Sequence, residues 1–148
     1  MTERRRVGIY SKTSPSYGVI IRLEKLDTAF VKALFSHPDK RSYSPIVICV
    51  KSEESSKYLA DKMQSEGILI FDSNEVSNEN AKFLVPIAVT HIENVENNVV
   101  LQEQLIEFLE FFKVTEQVVF LVTYKNINAM KISGKLRARL LSGVYVEL

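Results

Sequence analysis

Thr90 and His91 close the apolar run "FLVPIAVTHI" (83–92), and Glu93 follows two residues later. A hydroxyl, an imidazole and a carboxylate at such a tip can move a proton or hold a cation. No cysteine, aspartate or second histidine lies near enough in sequence to complete a site, so a structural histidine is the competing reading of His91. A second candidate follows the apolar run "PIVICV" (45–50), in "VKSEESSKY" (50–58). Lys51, Ser55, Ser56 and Lys57 are the residues there that can meet an anion. A phosphate cradle needs glycines to bring backbone N–H groups to the phosphates, and a lysine followed by Ser or Thr. This stretch has no glycine, points Glu53 and Glu54 at the would-be anion, and follows Lys57 with Tyr58. It is either the remnant of an anion site or an ordinary helix start, with acids on the favourable end of the dipole. The third candidate is "SGKLRARLLSGVYVEL" (133–148), where Lys135, Arg137 and Arg139 are interleaved with leucines. The two arginines either stand out of the core toward a partner or form the solvent face of a crossover around Leu136 and Leu140.

Composition narrows the classes. In a chain of 148 residues, 19 Lys+Arg against 18 Asp+Glu leave a net charge of +1. No global field favours nucleic acid or an anionic membrane, and any charged partner must be met locally. The length suits one domain, 1–148. Cys49, the single cysteine, lies within "IVICV" and reads as a small buried hydrophobe. No disulfide framework is possible, and no apolar run nears the ~18 residues of a membrane span. The expectation is a soluble protein of the cytoplasm that needs no cofactor. There is no catalytic triad, no metal motif and no dinucleotide glycine fingerprint.

The elements that must position these residues alternate along the chain. "RRVGIYS" (5–11) reads as a strand ended by the turn "KTSPSYG", and "RLEKLDTAFVKALFSH" (22–37) as a helix with Leu23, Leu26, Phe30, Ala33 and Leu34 on one face. The run 45–50 is a strand buried on both faces. "SEESSKYLADKMQSEG" follows as a helix stopped by Gly67. Strands are expected at 68–73, at 83–92 and at 117–124, a long helix at 98–113 with Leu101, Leu105, Phe108 and Phe112 inward, and a last strand "VYVEL". Strands this apolar alternating with helices predict a three-layer α/β fold, a parallel sheet with helices on both faces. In such sheets ligands sit at the carboxyl ends of the strands.

The order of these parts resembles the core domain of the AAA+ superfamily, the P-loop NTPase type. The C-terminal half is most similar to the family of the bacterial replication initiator DnaA and its relative Hda. The similarity runs from Ser44 to Leu148 and is most specific over "FLVTYKNINAMKISGKLRARLLSGVYVEL" (120–148). That family has a buried strand ending in a polar sensor residue, then a Leu-x-x-Arg-Leu type segment and a short apolar strand. The resemblance implies that Thr123 occupies the sensor position and Arg139 the arginine-finger position, with Arg137 beside it.

The departures from that pattern are as informative. The glycine loop is missing, Thr90-His91 stand where the family has its metal-binding acids, and neither the helical lid nor a DNA-binding helix-turn-helix is present in this sequence. The resemblance therefore implies a non-catalytic AAA+-like domain, a regulatory or protein-interaction module in replication initiation, with a replication-initiator AAA+ protein as its partner and an oligomer as one arrangement. Two other readings stay open: a small Rossmann-like protein holding a nucleotide or anion in the loop "SKTSPSYG" (11–18), and a nucleic-acid-binding module using Arg4, Arg5 and Arg6.

Overall fold

Ile46–Cys49, following a proline that cannot donate to a ladder, is buried at every position and forms a central strand, β3. The computed structural model describes residues 7–11, 19–23, 45–76, 86–115 and 118–147. Helix α1 (Glu53–Ser65) starts where the Ser52 hydroxyl accepts the Ser55 N–H at 3.2 Å, with Glu53 and Glu54 in its first turn. It ends at Gly67, whose φ of +85° only glycine adopts cheaply, and the Ile68 N–H closes the turn on the Met63 carbonyl at 3.1 Å. Strands β4 (Leu69–Asp72) and β5 (Ile87–Thr90) follow, then helix α2 (Val99–Thr115), strand β6 (Val119–Thr123), helix α3 (Gly134–Leu140) and strand β7 (Val144–Glu147). Helix α3 begins at Ser133, whose hydroxyl accepts the Leu136 N–H at 3.1 Å.

Two further strands precede these, β1 (Val7–Ser11) and β2 (Val19–Leu23), and the seven-stranded sheet has the order β1-β2-β7-β3-β6-β5-β4. All pairings are parallel except β1 with β2. The structure thus has the expected parallel α/β fold and corrects one boundary. Arg22 and Leu23, read as the start of a helix, pair with Glu147 and Val7 as the end of β2. The β-branched run Val19-Ile20-Ile21 sets the local conformation, and strand propensity outweighs the helical spacing that begins at Leu23. The remainder of that expected helix, 24–37, lies outside the described residues, as does the polar segment 77–82.

Helices cover both faces of the sheet. On one, Leu59 and Met63 of α1 pack on Ile46, Ile48, Ala88, Phe120 and Val122. On the other, Leu105, Phe108 and Phe112 of α2 and Leu136 and Leu140 of α3 pack on Val47, Val89, Leu121 and Tyr145. Phe108 and Phe112 are fully buried with ring centroids 4.7 Å apart, and each such side chain contributes roughly 1.5–3 kcal/mol on leaving water. Among the described residues no helix is long and apolar enough to cross a membrane.

Candidate functional site

The parallel strands β3 to β7 end together at Cys49, Asp72, Thr90, Thr123 and Glu147. The chain leaves β3 toward the α1 face and leaves its neighbour β6 toward the α3 face, and such a divergence opens the crevice in which α/β sheets bind ligands. Here the crevice is occupied by the chain's own contacts. The Val50 N–H donates to the Thr123 carbonyl at 2.8 Å. The Tyr124 N–H donates to Glu93 Oε1 at 3.2 Å, and Asn126 Nδ2 to Glu147 Oε2 at 2.9 Å. Glu93 is buried, and its Oε2 has no hydrogen-bond partner. The Thr123 hydroxyl accepts the Lys125 N–H and donates to the Lys125 carbonyl, both at 3.0 Å, and the residue is 1% exposed. Thr123, the residue at the sensor-like position, thus holds the turn that follows β6 with its hydroxyl. Cys49 is buried as expected, and burial pushes its thiol pKa up. Burial also raises the pKa of the Tyr145 phenol, which lies against Cys49.

The β3–α1 connection is three residues, Val50, Lys51 and Ser52. Glu53 through Lys57 are already helical, and the Ser56 N–H donates to the Ser52 carbonyl at 3.1 Å. No loop remains to wrap an anion, so this stretch is a capped helix start. Lys51 is exposed beside it, and Ser55 accepts a hydrogen bond from the Ser52 hydroxyl at 3.2 Å.

An open cleft of about 500 Å³ lies between the first turns of α1 and the tip of β5. It gathers Ser56, Lys57, Thr90 and His91 from the candidate set, together with Glu53, Glu54 and Ala60; Lys51 and Ser55 do not line it. His91 adopts the left-handed conformation, φ 58° and ψ 44°, which turns its ring from the end of β5 toward the neighbouring β4. Its Nδ1 donates to Asp72 Oδ1 at 2.7 Å, the Thr90 hydroxyl lies 3.3 Å from the same nitrogen, and Nε2 faces Glu53 Oε2 at 4.0 Å. An ionised carboxylate can only accept, so Nδ1 carries a proton and, in the neutral ring, Nε2 presents a lone pair. The Ser73 hydroxyl holds the His91 carbonyl at 2.8 Å. Sequence reasoning found no aspartate for His91; the structure supplies Asp72 from the tip of the adjacent strand. Asp72 sits 19 positions away, and only the parallel pairing of β4 with β5 brings Asp72 opposite Thr90. Among the described residues no group of three His, Cys, Asp or Glu side chains is arranged to hold a metal ion.

The two arginines of α3 are tied to their own chain. Arg137 Nη2 donates to the Met130 carbonyl at 2.7 Å, and Arg139 Nη2 to Glu110 Oε2 of α2 at 2.8 Å. The Arg139 side chain is 35% exposed. It stands near the C-terminal end of α3, which returns the chain to the amino ends of the strands, as one member of a partly exposed ion pair. Glu110 is held below the ordinary carboxylate range, first by that hydrogen bond and then by the charges of Lys135, Arg139 and Lys113. The loop 11–18 is described only at Ser11, and Arg4, Arg5 and Arg6 lie outside the described residues.

The fold, a largely parallel sheet with α1 on one face and α2 and α3 on the other, is similar to that of domain III of the replication initiator DnaA. Domain III of DnaA from Thermotoga maritima superposes with a TM-score of 0.67 at 10% identity, covering 81% of this chain and 60% of that one. AMPPCP-bound DnaA from Aquifex aeolicus matches with a TM-score of 0.66 at 13% identity, over 81% of this chain and 44% of its own. Protein NMB1076 from Neisseria meningitidis gives a TM-score of 0.50 at 16% identity, over 68% of this chain and 71% of that one. The chain thus spans less than two-thirds of these DnaA chains, and at such identities the likeness is one of fold. No protein-family model and no curated protein sequence matches the chain.

Proposed function

We propose that this chain is a non-catalytic regulatory or protein-interaction domain built on the DnaA-like AAA+ fold, acting in the cytoplasm in the initiation of DNA replication, with an AAA+ replication initiator as its partner. The observation that carries the reading is the three-residue β3–α1 connection, capped by Ser52 and followed at once by Glu53 and Glu54. The DnaA of Aquifex aeolicus was captured with AMPPCP. In this chain the corresponding connection is only three residues long, its Ser55 N–H is taken by the Ser52 cap, and its acids oppose phosphate. Thr90 and His91, at the tip of β5, take the place of the acids that would anchor a metal.

Calorimetric titration with magnesium-ATP tests the reading: no heat of binding is expected in the micromolar range, and a saturable signal there overturns it. Co-elution of the purified chain with a DnaA-type initiator in size-exclusion chromatography is the matching positive test.

A further inference from the structure

We infer that the cleft between α1 and β5 binds a primary alkylammonium group, such as a lysine side chain or an N-terminal amine of a partner protein; the inference rests on the interaction-domain reading above. His91 Nε2 and Glu53 Oε2 face one another at 4.0 Å, too far apart for a direct hydrogen bond. Asp72 fixes the proton on Nδ1, so the ring offers the cleft an acceptor, and Glu53 offers a second. Two acceptors held this far apart call for one donor with two hydrogens. A nitrogen about 2.9 Å from each meets both at an angle of roughly 90°, within the reach of an ammonium's N–H directions. A zinc ion about 2.0 Å from each would have to lie on the line between them, against its tetrahedral preference. A phosphate would meet Glu53 and Glu54, with Lys57 the one lysine or arginine among the described lining residues. The Ala60 methyl and the aliphatic stem of Lys57 provide a wall along which an alkyl chain can lie. Glu53 is 76% exposed on its side chain, so a free amine binds weakly and the rest of a partner supplies the affinity.

The test is n-butylammonium chloride titrated into the whole chain with ¹⁵N-labelled histidine, tetramethylammonium and zinc chloride serving as controls. The chain has two histidines; His91→Asn assigns the signal while keeping a residue that tolerates the left-handed backbone. The His91 Nε2 resonance is expected to shift and saturate in the millimolar range with butylammonium and not with tetramethylammonium, which has no hydrogen to donate. Glu53→Gln, on an exposed turn where the fold is not at stake, is expected to weaken the response by up to about fivefold. An equal response to tetramethylammonium, a micromolar response to zinc, or none to butylammonium overturns the inference. A cleft silent to butylammonium beside a silent magnesium-ATP titration removes the ammonium site alone, whereas saturable ATP binding removes the interaction-domain reading and the site with it.

Discussion

His91 donates its Nδ1 proton to Asp72 Oδ1 at 2.7 Å, so the tips of β5 and β4 are joined by side chains beyond the last ladder pair, Asp72 with Thr90. Asp72 has a second duty: its Oδ2 accepts the Asn74 N–H at 3.1 Å, while Glu75 reaches back to the Asp72 N–H at 2.7 Å. Asp72→Ala is therefore expected to lower stability by about 1–2 kcal/mol through the lost cap and the unpaired ring nitrogen. The same variant mixes the two His91 tautomers, which ¹⁵N ring shifts report. Asp72→Asn keeps one acceptor oxygen, so only one of the two donors loses its partner and the cost is smaller. An unchanged ring spectrum in Asp72→Ala would show that the carboxylate does not fix the tautomer.

Glu93 supports the start of the β6–α3 connection from inside the sheet edge, with one oxygen on the Tyr124 N–H and the other buried and unpaired. Glu93→Gln retains the acceptor and removes a buried charge, so its thermal unfolding is expected to match or exceed the parent. Glu93→Ala leaves the Tyr124 N–H without an acceptor and is expected to cost roughly 1–3 kcal/mol. Denaturant titration of the pair decides, and a destabilised Glu93→Gln would mean that the charge itself is needed.

The Glu96 carboxylate accepts from Lys125 Nζ and from the Lys131 N–H, each at 2.7 Å, and these bonds hold its pKa below the ordinary 4.5, the Lys125 bond contributing most. A lowered folded pKa means stabilisation that is complete above the unfolded value and is lost as pH falls through the folded one. Stability should therefore decline below about pH 4.5, and Glu96→Gln should flatten that acid limb. Unfolding midpoints between neutral pH and pH 3 measure it.

Arg139 and Glu110 form a partly exposed pair, 35% and 42% accessible on their side chains. Each alanine variant is expected to lower the melting temperature only slightly, and less in high salt, which screens such pairs. A large, salt-independent loss in Arg139→Ala would assign that arginine to the architecture of the α2–α3 contact. If the domain binds an initiator through α3, Arg139→Ala also weakens co-elution with that partner while stability holds.

The sheet was legible because its central strands carry their own signal. Ile46–Cys49 and Val119–Thr123 are continuous apolar runs that only a two-sided burial accommodates, and Leu105, Phe108 and Phe112 recur at helical spacing. Strand β2 was missed because Arg22 and Leu23 also fit the start of a helical pattern, and which pattern wins depends on Glu147 and Val7, both distant in sequence. The capped helix start that follows β3 could be read from "VKSEESSKY", since its serines, its acids and its lack of glycine are visible in one dimension. The partner of His91 could not, because Asp72 reaches it only through strand pairing. Arg139 was legible as a residue and not as a contact: nothing in "LRARLL" indicates that Glu110, on another helix, receives its guanidinium.

The three-residue turn between β3 and α1 also limits what substitutions there could build. A phosphate cradle of the glycine-lysine type uses about eight residues from its first glycine to its hydroxyl, whereas here Val50, Lys51 and Ser52 are all that separate strand from helix. Exchanging Glu53 and Glu54 for glycines, or Tyr58 for serine, changes chemistry without adding backbone, and it also unwinds the first turn of α1. On the proposed non-catalytic reading the missing quantity is contour length, so a cradle of that type would call for an insertion rather than for any set of point substitutions.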